Sequence, residues 1–105
     1  MLEISEFNAA DYLEDAEDVT AFLNAAYEQG GTAGLSRALA TVARSQGMTE
    51  VAERAGVNRV TLYKALGEQG HPYFDTVARI LAACGVRMRF EPISSGDLVT
   101  AYEHR

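Results

Sequence analysis

The sequence contains a single cysteine and no long run of apolar residues. One cysteine excludes an internal disulfide and a cysteine-based zinc site. A membrane-spanning helix needs about 20 consecutive apolar residues, and no segment approaches that length. The segment before residue 15 carries acids but no basic residue, which is not the pattern of a secretory signal. We therefore expect a soluble, cytoplasmic protein with no membrane partner and no cofactor.

The full chain carries a net charge of −6, and its first part contains no basic residue. Residues 1–31 hold eight acids and no Lys or Arg, whereas residues 32–92 hold eight bases and five acids. The net charges of these two segments are −8 and +3, and residues 93–105 add −1. This asymmetry predicts two surfaces for two partners, one of them anionic. The alternative is that the acidic helices only keep the protein soluble.

Apolar residues recur at helical spacing along most of the chain, which predicts a mostly α-helical protein. A chain of 105 residues with 48% hydrophobic and 23% charged residues fits one globular domain. Asn8 can cap a short first turn, and Asp15 can cap a helix over 16–29 that ends at Gly30 and Gly31.

A third predicted helix begins at Thr32 and continues to Gly47. Gly34 near its start weakens it locally by up to about 1 kcal/mol relative to alanine. The second and third helices both show the i, i+3, i+4, i+7 spacing of an amphipathic helix. The residues expected to face the core are Val19, Phe22, Leu23, Ala26, Tyr27, Leu35, Ala38, Leu39, Val42 and Ala43.

Three shorter helices follow, at 49–55, 58–66 and roughly 74–84, because glycines or a proline interrupt the chain between them. The residues of the last helix that are expected to face the core are Phe74, Val77, Ile80, Leu81 and Cys84.

The spacing of the apolar residues changes to two in the segment 86–92, where Val86, Met88 and Phe90 alternate with charged residues. This alternation predicts a β-strand. A lone strand needs a partner for its backbone N–H and C=O groups, and the sequence offers no second strand. We expect the strand to pair with its copy across a two-fold axis, which would make the protein a homodimer. Alternatively, the segment packs in extended form on its own helices.

Residues 48–66 have the pattern of a helix-turn-helix. The small Ala52 lets the first helix lie close across the second, and Gly56 supplies the positive φ angle of the turn. Asn58 caps the second helix, and apolar residues flank that cap at the positions of a hydrophobic staple. The predicted domains are an acidic helical segment at 1–31, a helix-turn-helix domain at 32–85, a dimerisation strand at 86–92 and a polar tail at 93–105.

The outward face of the second helix carries the candidate DNA contacts. Val60 has nothing of its own to bury against and can contact a thymine methyl group in a major groove. The hydroxyl and the backbone amides at Thr49 can hold a phosphate, and Arg44, Gln69 and His71 can extend the contact with the DNA backbone. The predicted DNA-binding residues are Thr49, Asn58, Arg59, Val60, Thr61, Tyr63 and Lys64. The alternative is a plain pair of helices in which Val60 has no role.

Several motifs follow one another in the order of a known family: Asp11-Tyr12-Leu13, Met48-Thr49, Gly56-Val57-Asn58-Arg59, Leu62-Tyr63-Lys64-Ala65-Leu66 and His71-Pro72-Tyr73-Phe74-Asp75-Thr76-Val77. On these residues the chain resembles the addiction-module antidotes of the HigA type. The resemblance implies a lambda-repressor-like fold and an antitoxin of a type II toxin–antitoxin system. It also implies a small basic toxin of the RelE/ParE class as partner, and a dimer that represses its own operon. Tyr73 departs from the family, which usually has a serine that caps the last helix at that position.

The acidic segment 1–31 is the predicted toxin-binding surface, because complementary charges raise the association rate with a basic partner. Phe7 and Tyr12 are candidate aromatic anchors within it. The predicted toxin-binding residues are Tyr12, Glu14, Asp15, Glu17 and Asp18. The C-terminal tail is the alternative toxin contact.

The sequence gives little support to an enzyme. Its two histidines are His71 in a loop and His104 in the tail, and no motif places a nucleophile beside either. The acids of 11–18 lack the spacing of a calcium loop. We therefore expect neither catalysis nor a metal site. Three interpretations remain open: an antitoxin that also represses its promoter, a stand-alone dimeric helix-turn-helix transcriptional repressor with no toxin partner, and an interaction protein that has lost DNA binding.

Overall fold

Four helices make up most of the structure. A computed structural model of the protein describes residues 15–97, and the short turn predicted after Asn8 lies outside them. The helices are α1 (Ala16–Gln46), α2 (Met48–Ala55), α3 (Arg59–Leu66) and α4 (Phe74–Ala83). No strand occurs among the described residues, so the prediction of a mostly α-helical protein is confirmed. Within the same range, no helix is both long and apolar enough to cross a membrane.

α1 begins where its capping residue was predicted. The Oδ1 atom of Asp15 accepts a hydrogen bond from the backbone N–H of Asp18 at 2.8 Å. This bond satisfies one of the N–H groups that the first turn leaves without a helical partner. Glu17 and Asp18 also place negative charge in the first turn, where the helix dipole favours it.

α1 folds back on itself at Gly31. This glycine has φ 62° and ψ −150°, a non-helical conformation inside the 31-residue element. Gly34 is buried, and a Cβ atom placed on it would lie 2.6 Å from the carbonyl oxygen of Ala26. Residues eight positions apart in a straight helix are separated by about 12 Å. The two halves of α1, 16–30 and 32–46, therefore lie against each other.

This reversal corrects our interpretation of Gly34, which we expected only to weaken its helix. The missing side chain lets the backbone of one half of α1 approach the backbone of the other half. The two helices predicted on either side of Gly30 and Gly31 are both present, and the break between them is where the sequence predicted it.

The core draws at least one fully buried side chain from each helix: Val42 from α1, Val51 from α2, Leu62 from α3 and Ile80 from α4. Burying such side chains supplies most of the free energy that holds helices of this length together. Small side chains surround these four and let the helix backbones come close. The buried alanines are Ala38, Ala40, Ala43, Ala52, Ala55, Ala65 and Ala83.

Two aromatic residues that we expected in the core lie on the surface. The exposed fraction of Tyr27 is 54% and that of Phe74 is 69%. Tyr27 stands about 80° from Val19 around the helix axis, at the edge of the apolar stripe. Phe74 is the first residue of α4, and no part of the described chain covers its side chain there.

α4 ends in a Schellman motif, and the chain after it forms no strand. Gly85 has φ 90°, and its N–H donates to the carbonyl of Ala82 at 3.0 Å. The N–H of Val86 donates to the carbonyl of Leu81 at 2.9 Å, which completes the motif. The strand predicted at 86–92 does not form within the described chain, where no second extended segment offers backbone groups to pair with it.

Only the first residue of that segment packs on the protein's own helices. Val86 is half-buried and contacts the core, whereas residues 87–93 are exposed. Helical backbone resumes at 95–97, where the Oγ atom of Ser94 accepts a hydrogen bond from the N–H of Asp97 at 3.2 Å. Pairing of the segment with a second copy of the chain stays a prediction.

Candidate nucleic-acid interface

α2 and α3 are joined by a turn that depends on glycine. Gly56 has φ 73° and ψ 31°, in the left-handed region where an L side chain is strained. The N–H of Val57 donates to the carbonyl of Ala52 at 3.0 Å, so the last carbonyl groups of α2 are satisfied within the turn. Only three residues, 56–58, separate the end of α2 from the start of α3.

The orientation of α3 is fixed by a side-chain cap. The Oδ1 atom of Asn58 accepts a hydrogen bond from the N–H of Thr61 at 2.7 Å. Val57 packs on the core that contains Leu62, and these two residues occupy the positions of a hydrophobic staple around the cap. The carbonyl oxygen of the Asn58 side chain is therefore engaged within the protein, and only its NH₂ group remains to donate to a ligand.

The predicted DNA-binding residues of α3 all lie on its exposed face. Leu62 and Ala65 are buried on the opposite side. The exposed fraction is 63% for Val60 and 50% for Tyr63. The exposed residues of the helix are Arg59, Val60, Thr61, Tyr63 and Lys64. An apolar side chain thus stands among polar and basic side chains on a surface that no part of the described chain covers.

Arg59 and Tyr63 form a pair on one flank of this face. The Nη2 atom of Arg59 donates a hydrogen bond to the hydroxyl oxygen of Tyr63 at 3.1 Å. The guanidinium carbon lies 5.5 Å from the centroid of the tyrosine ring, within the range of a cation–π contact. The two residues are four positions apart, so they lie one above the other along the helix.

The other flank of α3 borders a groove of about 790 Å³. Thr61 and Lys64 line the groove from α3, and the loop residues Gln69 and His71 line it from the opposite side. The loop approaches α3 closely, because a Cβ atom on Gly70 would lie 2.7 Å from the carbonyl oxygen of Ala65. The structure therefore brings the predicted loop contacts to the same surface as α3.

Arg44, the remaining predicted backbone contact, is not part of that groove. It is exposed on the last turn of α1, and its Nη2 atom lies 3.5 Å from the hydroxyl oxygen of Thr41.

The N-terminus of α2 carries a negative charge that was not predicted from the sequence. Thr49 is exposed in the first turn, as predicted for a phosphate contact. However, the carboxylate of Glu50 lies within 2.5 Å of the point where a Cβ atom on Gly47 would stand. This carboxylate occupies the start of the helix, where a phosphate would also sit. Glu50 therefore opposes the phosphate contact proposed for Thr49.

Two hydrogen bonds link α2 to α1 and α1 to the C-terminal end of α4. Arg54 donates from Nη2 to the Oε1 atom of Gln46 at 3.0 Å, and Gln46 donates from Nε2 to the carbonyl oxygen of Cys84 at 3.0 Å. The paired residues lie 8 and 38 positions apart in the sequence, so the spacing within one helix did not identify them. Burial raises the pKa of the Cys84 thiol to about 11, against a smaller opposing effect of the Arg54 charge. The thiol is therefore protonated and unreactive at neutral pH.

The acidic surface is described only in part. Asp15, Glu17 and Asp18 are exposed at the start of α1, whereas Tyr12 and Glu14 lie outside the described residues. Tyr27 is the exposed aromatic residue on the same half of the helix. No group of three or more metal-ligating side chains comes together between residues 15 and 97.

Comparisons with known proteins identify a family for the chain. The family described as "Probable addiction module antidote protein" matches residues 3–92. An uncharacterized protein of Haemophilus influenzae is 29% identical over 89 residues, which cover 85% of this chain and 92% of that protein. No solved structure matches the chain significantly.

Proposed function

We propose a function that proceeds from one fact: the chain belongs to the family of probable addiction module antidote proteins. Such a family implies a toxin as partner. Our finer proposal is a HigA-type antitoxin that neutralises a basic toxin of the RelE/ParE class and represses its own operon. In this proposal the protein is cytoplasmic, acts by binding rather than catalysis, and contacts DNA through α3.

The exposure of Val60 is the observation that carries the DNA-binding proposal. An apolar side chain that is 63% exposed gains nothing from water, and Arg59 and Lys64 stand beside it on the same helix. The floor of a major groove offers both kinds of contact, because thymine presents a methyl group and guanine presents two acceptors. A helix of this size fits that groove.

The arrangement of α2 and α3 supports the same proposal. A helix-turn-helix places its second helix in the groove and its first helix across the DNA backbone. Here a three-residue turn joins two eight-residue helices, and the cap by Asn58 fixes the start of the second. The groove beside α3 adds loop residues that can reach the phosphates.

A homodimer is part of the proposal, because the charge available for DNA is small. Residues 32–92 carry a net charge of only +3, so one subunit would bind weakly. Met88 and Phe90 are 37% and 88% exposed in the segment 86–92. Pairing of this segment with its copy would satisfy the backbone and cover those side chains. Two copies of α3 could then enter successive major grooves about 34 Å apart.

The first half of α1 is the described part of the proposed toxin surface. Glu17 and Glu28 lie on the outer face of this half, nearly opposite the buried Val19 and Leu23. Tyr27 offers the large, partly apolar side chain that charges alone do not provide at an interface. The exposed acids would attract a basic toxin over a range of about 10 Å at 0.1 M salt. The C-terminal tail remains the alternative contact.

The test separates the two activities in one set of variants. Binding to the DNA upstream of the protein's own gene is measured by fluorescence anisotropy over a range of salt concentrations. Neutralisation is measured by co-expression with the product of the adjacent gene, which we expect to be a small basic toxin. We expect Lys64→Ala to weaken DNA binding, to reduce the salt slope by about one, and to leave neutralisation unchanged. Arg79→Ala, which removes an exposed charge of α4, is the matched control.

The acidic surface is tested by the double variant Glu17→Gln/Asp18→Asn and by deletion of residues 1–14. Both changes should weaken neutralisation and leave DNA binding intact. Full neutralisation by both variants would contradict the proposed toxin surface. DNA binding without neutralisation by the wild-type protein would support a stand-alone repressor, and neutralisation without DNA binding would support a pure interaction protein.

A further inference from the structure

We propose that α3 reads a guanine and a nearby thymine in each operator half-site, with Arg59 as the guanine contact, Val60 as the thymine contact and Tyr63 as the residue that positions Arg59. This inference rests on the proposed DNA binding by α3. It goes further by assigning base identities to individual side chains and by giving Tyr63 a role distinct from contact with DNA.

The position of Arg59 in α3 directs it to a base. It is the first residue of the helix, and the N-terminal residues of a recognition helix are those that contact base edges. A guanidinium group has five N–H donors, and the hydrogen bond to Tyr63 uses one of them. Four donors remain, which is enough for a bidentate contact with the O6 and N7 acceptors of guanine.

Tyr63 holds the guanidinium group before DNA arrives. A free arginine side chain loses about 2 kcal/mol of rotamer entropy when it is fixed in one conformation. The 3.1 Å hydrogen bond and the contact with the tyrosine ring limit Arg59 to a smaller set of conformations in the free protein. Tyr63 lies one helical turn further from the N-terminus, so it supports Arg59 from behind and leaves the leading edge of the guanidinium open.

Val60 directs the second contact. It follows Arg59 in the helix and is 63% exposed, with no polar atom in its side chain. The C5-methyl group of thymine is the apolar group that the major groove offers. Adjacent Cα atoms are about 3.8 Å apart and successive base pairs about 3.4 Å apart, so we expect Val60 to contact a base within one or two base pairs of the guanine that Arg59 contacts. Asn58 is not assigned to a base here, because its side-chain oxygen caps the helix.

The experiment begins with selection of duplexes from a random DNA library by the wild-type protein. We expect the enriched half-site to contain a guanine and a thymine within two base pairs. Two synthetic duplexes then test single atoms: 7-deazaguanine removes the N7 acceptor, and deoxyuridine in place of thymidine removes the methyl group. Loss of the bidentate contact should weaken binding between about fivefold and 150-fold, and loss of the methyl group about fourfold.

The variants connect each atom to its side chain. Val60→Ala should bind the thymidine and deoxyuridine duplexes equally. Arg59→Ala should become insensitive to 7-deazaguanine. Tyr63→Phe keeps the ring and loses the hydroxyl, so its preference for guanine over 7-deazaguanine should fall by about 2- to 10-fold while its helix content stays unchanged. Tyr27→Phe, a tyrosine of similar exposure on α1, is the matched control and should behave as wild type.

The outcomes distinguish this inference from the proposed function. Failure of the wild-type protein to bind any duplex would contradict DNA binding itself and this assignment with it. Selection of a half-site that lacks a guanine and a thymine within two base pairs of each other would overturn the base assignment and leave the proposed function standing. A Tyr63→Phe variant that discriminates 7-deazaguanine as well as wild type does would overturn the positioning role of Tyr63.

Discussion

Substitution of Gly34 by alanine should destabilise the protein, although the same change stabilises most helices. Alanine is favoured over glycine by about 1 kcal/mol in a helix interior. At Gly34, however, the new Cβ atom would lie 2.6 Å from the carbonyl oxygen of Ala26. Ordinary contact begins near 3.4 Å, so the two halves of α1 would have to move apart by several tenths of an ångström.

The expected magnitude follows from these two opposing effects. Displacing packed backbone to admit an extra methyl group costs about 1–3 kcal/mol, and the gain in helix propensity offsets about 1 kcal/mol of it. A net loss near 1 kcal/mol lowers the melting temperature of a domain of this size by about 4–8 °C. The assay is thermal unfolding followed by circular dichroism at one fixed protein concentration, because dimerisation would make the melting temperature depend on concentration.

Gly30→Ala is the matched control for this prediction. Gly30 lies in the same region of α1, but a Cβ atom placed there would meet only the far end of the Arg37 side chain, at 3.6 Å. Its substitution should leave the melting temperature unchanged or raise it. If Gly34→Ala raises the melting temperature as much as Gly30→Ala does, α1 does not fold back closely at this point, and the reasoning is refuted.

Three further predictions concern the interface and the core. Asn58→Ala should lower the unfolding free energy by about 1 kcal/mol and weaken DNA binding, because the start of α3 loses its cap. The control Asn24→Ala, on the exposed face of α1, should change neither quantity. Equal effects of the two substitutions would contradict the capping role of Asn58. Glu50→Gln should strengthen DNA binding about two- to fivefold and lower the melting temperature slightly, because the carboxylate stabilises α2 but repels phosphate. Glu53→Gln is the control, and a Glu50→Gln variant that binds DNA no more tightly than this control would refute the prediction. Because burial raises the pKa of the Cys84 thiol from 9.0 to about 11, the folded state holds the thiol proton more tightly than the unfolded state does. The stability that the buried thiol contributes is therefore complete below pH 9.0 and is lost as the pH rises through about 11. Urea unfolding of wild type and Cys84→Ala between pH 8 and 11 should show a steeper loss for wild type, and parallel curves would exclude the effect.

The sequence alone predicted the local elements of this protein. Asp15 and Asn58 cap helices by bonds to N–H groups three residues ahead, and Gly56 ends α2 through bonds that span five residues or fewer. The exposed face of α3 could be predicted for the same reason, since a rotation of 100° per residue from the buried Leu62 places Val60 and Lys64 nearly opposite it. These features depend on residues a few positions apart in the chain, and such spacings can be read directly from the sequence.

The tertiary structure decided which surfaces are covered and which backbones approach each other. Gly34 became a contact point only because α1 reverses at Gly31, and Tyr27 and Phe74 are exposed because nothing between residues 15 and 97 covers them. The position of the Glu50 carboxylate and the link from Arg54 through Gln46 likewise followed from folding. Burial and close approach depend on the element that lies opposite, and the identity of that element is not encoded within the few residues that specify a helix or a turn.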